Sequence, residues 1–303
     1  VEMRRILERV HADAAPYVGH GHLADYIPSL AEVDAFQFGM TVVSCEGEET
    51  SIGDTDVRFS VQSVTKVFSL ALVIAADDHG IWQRISREPS GNPFNSLLLL
   101  DQENGRPRNP FINAGALAVT DRLQTLTGDA AGAVRDLARA ETGAADIDID
   151  ADVAASEIAH SHRNAAMAHL LASYGNLENA VDEVVEAYSR QCALAMSATE
   201  VARTGAFLAR DGVRADGSRL LSRSQAKRIN AVMLTCGTYD RAGEFAFRVG
   251  LPAKSGVGGA ILAIIPGRGS ICVWSPALGD AGNSSAGLAA LDSFTTHSDW
   301  SVF

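Results

Sequence analysis

Phe59-Ser60-Val61-Gln62-Ser63-Val64-Thr65-Lys66-Val67-Phe68 is the stretch that decides the fold. A short β-like run from Val57 to Val61 enters an apolar-periodic helix, which the pattern carries to about Asp78 with Gly80 as its stop. Ser63 then falls in the first helical turn, where unpaired N–H groups and the positive end of the macrodipole favour a developing negative charge. Lys66 follows one turn later on the same face, so its amine can reach the serine oxygen. A serine needs an adjacent base to become a nucleophile at neutral pH, and a desolvated lysine is one of the few available. The chain repeats the spacing at Ser224-Gln225-Ala226-Lys227. That copy reads as a helix cap, Ser222 or Ser224, with a solvated lysine.

Outward from this stretch, the 303 residues are 47% hydrophobic and 20% charged, as expected of a globular chain able to bury a substantial core. A net charge of −12 argues against nucleic-acid binding, which needs concentrated positive surface. No apolar run approaches the length of a membrane span. The start, Val-Glu-Met-Arg-Arg, runs into an amphipathic helix without an apolar leader core, so a cytoplasmic location is expected. The four cysteines have no C-x-x-C spacing and read as reduced thiols. The histidines form no metal-binding pattern, and neither metal nor organic cofactor is expected. Only Lys66, Lys227 and Lys254 are lysines, against 22 arginines, so two lysines in possible catalytic motifs carry weight.

In chain order, a helix over 3–15 precedes strands over 36–45 and up to Phe59. Helices are expected over 63–78, 114–126, 130–140, 151–173, 178–192, 198–210 and 224–233, with a Gly/Pro/Asn-rich loop between the first two. A hairpin over 257–265 and 270–274 and a closing helix over 286–294 follow. The predicted fold is α+β: an antiparallel sheet flanked by N- and C-terminal helices, plus a large helical region. Residues 1–62 and 234–303 would form the α/β part and 63–233 the helical part, with the active site at their junction.

Lys254 lies in Lys254-Ser255-Gly256-Val257-Gly258-Gly259, at a strand entrance. A Lys-Ser/Thr-Gly strand joined to Ser-x-x-Lys is the arrangement of serine β-lactamases and penicillin-binding proteins. Further blocks accompany it: Ala24-Asp25-Tyr26-Ile27-Pro28, Glu88-Pro89-Ser90-Gly91 with Phe94-Asn95-Ser96, and Asn109-Pro110-Phe111-Ile112-Asn113-Ala114-Gly115-Ala116. Ser156-Glu157 with Arg163-Asn164, Tyr188 with Cys192, and Cys236-Gly237-Thr238-Tyr239-Asp240 complete the set. Together they resemble the serine-dependent L-glutaminases, bacterial and mitochondrial, which share the β-lactamase-like fold. Thr238 and Ala260 depart from the family's more usual methionine and glycine without removing a chemical group.

The resemblance implies hydrolysis of L-glutamine to L-glutamate and ammonia through a γ-glutamyl ester on Ser63. It implies Lys66 as base, Tyr188 as proton shuttle, and the amides of Ser63 and Val257 as oxyanion hole. Tyr26, Gln62, Asn113, Glu157, Asn164 and Tyr239 match substrate-contacting positions, and a homodimer or homotetramer is implied. The chemistry agrees, since an α-ammonium needs an anion such as Glu157 and an α-carboxylate needs donors. Glu157 and Asn164, seven residues apart in one predicted helix, would share a face. Lys66 must be neutral to accept a proton, through desolvation or a nearby positive charge, for which Lys254 is a candidate. A β-lactamase or D,D-peptidase is the alternative enzyme, disfavoured by the missing Ser-Asp-Asn element. A non-catalytic glutamine-binding module is the alternative outside enzymes.

Overall fold

The computed structural model describes residues 2–303, and strands from both ends of that span share one antiparallel sheet. β1 (Gly39–Ser44) pairs with β2 (Glu49–Gly53) and with β8 (Gly269–Trp274). β7 (Ala260–Ile265) and β6 (Ala253–Ser255) complete the order β2-β1-β8-β7-β6. Successive side chains on a strand point to opposite faces, and the cores divide accordingly. Met40, Val42, Ile261, Ala263, Ile271 and Val273 meet one core, while Val43, Leu262, Ile264, Cys272 and Trp274 meet the other. Because both faces of β7 and β8 are covered, their sequences read as continuous apolar runs.

α1 (Glu2–Ala14) and α13 (Ser285–Ser298) pack together over the first face, burying Leu7, Val10, Leu291 and Phe294. Each such side chain contributes roughly 1.5–3 kcal/mol. α10 (Ala198–Ala209) covers the second face, where Thr199 and Thr41 share a hydroxyl hydrogen bond of 2.9 Å. Beyond it stand α3 (Thr65–Arg84), α5 (Asn113–Thr127), α6 (Ala130–Thr142) and α9 (Val181–Cys192), around Phe68, Leu70, Phe111 and Phe207. α7 (Ala151–Ala159) and α8 (His162–Ser173) pack on α9, and α11 (Arg223–Cys236) on α12 (Ala242–Arg248) and β6. Two short helices, α2 (Pro28–Ala31) and α4 (Leu97–Gln102), sit in the long loops. The α+β class and the antiparallel sheet with terminal helices match the sequence expectation.

Several expected details change. α3 runs to Arg84 only across a break at Asp77 (φ −151°): its first part ends where expected, and a second helical segment, capped by the Asp77 carboxylate accepting from the Gly80 amide at 3.0 Å, continues over the buried Ile81. The helix expected over 151–173 is two helices, α7 and α8, so Glu157 and Asn164 do not share one helix face. The break has a local cause: Ser161 Oγ donates to Ile158 O at 2.7 Å and His160 Nδ1 bonds Ser156 O at 2.7 Å. Such side-chain bonds compete with the helical ladder. Lys254 sits on its own strand, β6, with a turn before β7. A second sheet, unforeseen, joins β3 (Phe59–Ser60), β5 (Leu194–Met196) and β4 (Asp148–Ile149). It fixes the approach to Ser63: Phe59 stacks on Trp274 at 4.7 Å, and the Val61 amide donates to Leu194 O at 2.9 Å.

Candidate active site

Past Val61 the chain must turn sharply into α3, and Gln62 makes the turn with φ of +56°, a left-handed value costly for any residue but glycine. Its side chain is held accordingly. Gln62 Nε2 donates to Ser60 Oγ at 2.7 Å and to Glu157 Oε1 at 2.9 Å. Residues Gln62–Val64 form a 3-10 turn ahead of α3, so Ser63 precedes the helix instead of lying inside it. Ser63 is 8% exposed, at the floor of a cavity of about 300 Å³.

Lys66 is buried below Ser63. Its Nζ donates to Asn113 Oδ1 at 2.8 Å and Phe111 O at 3.2 Å, and no hydrogen bond to Ser63 Oγ is formed. Asn113 Nδ2 in turn donates to Asn164 Oδ1 at 3.1 Å, linking α3, α5 and α8. Desolvation lowers the Lys66 pKa to about 8. Lys254, fully buried on β6, has a pKa pushed well below its usual 10.5, by burial first and the Lys66 charge second. For Lys66 the lowering cause is desolvation, and no charge on Lys254 is needed for it. Each amine lies near a tyrosine ring: Lys66 Nζ is 5.8 Å from the centre of Tyr188, Lys254 Nζ 4.6 Å from that of Tyr239.

The two tyrosines differ in aim. Tyr188 lines the cavity on α9, and burial raises its pKa. Tyr239, held at φ of +60°, turns its hydroxyl toward those of Ser63 and Ser255 without closing a hydrogen bond of standard geometry. Ser255 Oγ is likewise buried and unpartnered. Val257 lines the cavity opposite Ser63, and a Cβ added at Gly256 would stand 3.4 Å from Ser63 N, so the two backbones touch. The amides of Ser63 and Val257 find no acceptor among the described residues.

At the far end, Tyr26 Oη lies 2.8 Å from Glu157 Oε1 and 2.9 Å from Gln62 Oε1, yet has one proton to give. This corner is rich in acceptors and short of donors, as a cation site requires. Desolvation raises the Glu157 pKa, opposed by the bonds from Tyr26 and Gln62. Tyr26, Gln62, Ser63, Asn113, Glu157, Asn164, Tyr188 and Val257 all line this one cavity, while Tyr239 stands behind it. Phe94, Asn95, Arg163 and Cys192, quoted in the sequence blocks without a site role, also line the wall, as does His160, which no block contained. Phe94 and Asn95 belong to an aperiodic loop, so periodicity gave them no role and only their block marked them.

A larger cavity, about 690 Å³, lies along α11 and includes Ser224 and Lys227. Both are exposed, and Ser222 is the residue that caps α11, in a capping box with Gln225. No tyrosine lines it, so the chemistry belongs to the smaller cavity. Among the described residues no cluster of His, Cys, Asp or Glu could hold a metal, and no helix is long and apolar enough to cross a membrane.

A family profile described as Glutaminase matches residues 21–303. The chain is 58% identical over 300 residues to a glutaminase of Streptomyces coelicolor, covering 99% of this chain and 98% of that one. Among solved structures, the probable glutaminase ybaS superposes with a TM-score of 0.93 at 34% identity, covering 100% of this chain and 98% of that one. The crystal structure of Mglu in its glutamate form gives 0.92 at 34%, covering 100% of this chain and 70% of that one.

Proposed function

The chain belongs to the glutaminase family and hydrolyses L-glutamine to L-glutamate and ammonia; from that premise we propose that Ser63 is its nucleophile and Lys66 its base. Ser63 Oγ attacks the side-chain amide carbon and passes its proton to neutral Lys66. The oxyanion is received by the Ser63 and Val257 amides, each typically worth ~3 kcal/mol of barrier. Ammonia leaves after protonation, and water releases glutamate from the γ-glutamyl ester. The observation that carries this reading is a buried lysine with depressed pKa, one turn from a buried serine, facing two unspent amides.

For the proton shuttle, Tyr188 beside Lys66 was the expectation. The hydroxyl that faces Ser63, however, is that of Tyr239, which favours Tyr239 in that role. Glu157, backed by Tyr26 and Gln62, would hold the α-ammonium, and Asn113 with Asn164 the α-carboxylate side. Mglu, a relative, has been captured in a glutamate form, which suits this pocket. We assign residues 1–62 with 234–303 and residues 63–233 as the two parts that clasp the site. A homodimer or homotetramer in the cytoplasm remains our reading of its setting. An ammonia-release assay with glutamine tests the core claim. Ser63→Ala should abolish turnover while keeping glutamate-induced thermal stabilisation, and equal rates for the two proteins would remove Ser63 as nucleophile.

A further inference from the structure

The charges around the pocket do not yet match a zwitterion. Glu157 supplies an anion, but burial presses both lysines toward neutrality. The guanidinium on the wall is that of Arg163, the second residue of α8, a group with donors and no acceptor. Its Nε donates to Asn95 O at 2.9 Å, which fixes the guanidinium at the mouth and pins the loop beside Phe94. It meets no carboxylate among the described residues, unlike Arg84 and Arg122, which are spent on Asp121 and Asp77. With Nε occupied, both terminal nitrogens keep their N–H donors. The first turn of α8 adds to the same field, because Ser161 places no side-chain oxygen over its amides.

We propose that Arg163 is a specificity-determining residue that selects amides bearing a free α-carboxylate, facing that group across the pocket mouth while Glu157 holds the ammonium. The inference rests on the ammonium assignment above. One tetrahedral carbon separates the two charged groups of glutamine, so a site reading both needs its anion and its cation on neighbouring walls. Glu157 on α7 and Arg163 on α8 provide that, six residues apart across the helix break. His160, between them, also lines the mouth, but its Nδ1 is engaged with Ser156 O. Arg163 is exposed, so solvent weakens its pull.

The test compares L-glutamine with 4-aminobutanamide, which keeps the amine and the side-chain amide but lacks the α-carboxylate. Arg163→Gln should lower kcat/KM for L-glutamine about fivefold, mainly through KM, the size of one partly solvated charge pair. It should leave the value for 4-aminobutanamide unchanged. Arg163→Lys should keep most of the discrimination, and added salt should shrink it. Equal losses on both amides would overturn the proposal in favour of simple loop anchoring through Asn95, and no loss on either would overturn it outright. If 4-aminobutanamide turns over too slowly, its Ki as a competitor of glutamine reads the same ratio. Failure of the Ser63 assignment is seen separately, as activity in Ser63→Ala.

Discussion

Tyr26 and Glu157, 131 residues apart in sequence, meet at 2.8 Å, oxygen to oxygen. The contact joins the loop before α2 to the end of α7 and leaves the carboxylate turned into the cavity. Glu157→Gln keeps the shape but removes the charge that an ammonium needs. KM for glutamine should rise about tenfold or more, with kcat much less affected. Tyr26→Phe removes one hydrogen bond and should raise KM about threefold. Steady-state kinetics separate the two, and a Glu157→Gln enzyme with wild-type KM would remove the ammonium site.

The pH profile should report Lys66. Its pKa is about 8, and only the neutral amine accepts a proton, so kcat/KM should climb as pH rises through about 8. Ammonia release measured from about pH 6 to about 10 shows the limb. A flat profile across it would count against Lys66 as base.

Stability should respond to the same burial. Between about 8 and 10.5 the unfolded chain holds a proton on Lys66 that the folded chain lacks, so this residue's contribution improves as pH rises through that window. The cost of burying the charged amine is therefore fully present below about 8 and gone above 10.5. Lys66→Met should raise Tm at neutral pH, and its advantage should fade in alkaline buffer. Calorimetry at the two extremes decides, and a gain that does not depend on pH would refute the linkage.

Two glycines separate catalysis from folding. At Gly256 an added Cβ would lie 3.0 Å from Val61 O and 3.4 Å from Ser63 N. A small shift there disturbs the Val257 amide, so Gly256→Ala should cut kcat by about 10²-fold with a modest fall in Tm. At Gly237 the Cβ would lie 1.7 Å from Ala253 O, between α11 and β6. Gly237→Ala should therefore lose Tm or soluble yield before any kinetic effect is read.

Much of this was legible because the chemistry is concentrated in short, unusual blocks. Ser63-x-x-Lys66 opens an apolar helix, and Lys254-Ser255-Gly256 borders an apolar hairpin, so pattern and motif agreed. The strands of the small sheet were not legible: β4 and β5 span two and three residues, too few for a period. Nor was the break before α8, since Ile158-Ala159-His160-Ser161 contains neither glycine nor proline. Side-chain bonds from His160 and Ser161 compete with the helical ladder there, and residue type alone does not signal them. Tyr239 facing Ser63 depends on its positive φ, which no residue type other than glycine signals.

The left-handed turn at Gln62 ties recognition to reactivity mechanically. One peptide unit joins Gln62, whose amide side chain donates to Glu157, to Ser63, whose N–H is the proposed oxyanion donor. On the proposed assignment, a substrate ammonium pulling on Glu157 would act on the attacking end through that one peptide unit. A short amide that leaves Glu157 empty would meet a serine whose support is slack. Such a compound should be slowed at the chemical step as well as held weakly, which separate kcat and KM values for the two amides would read.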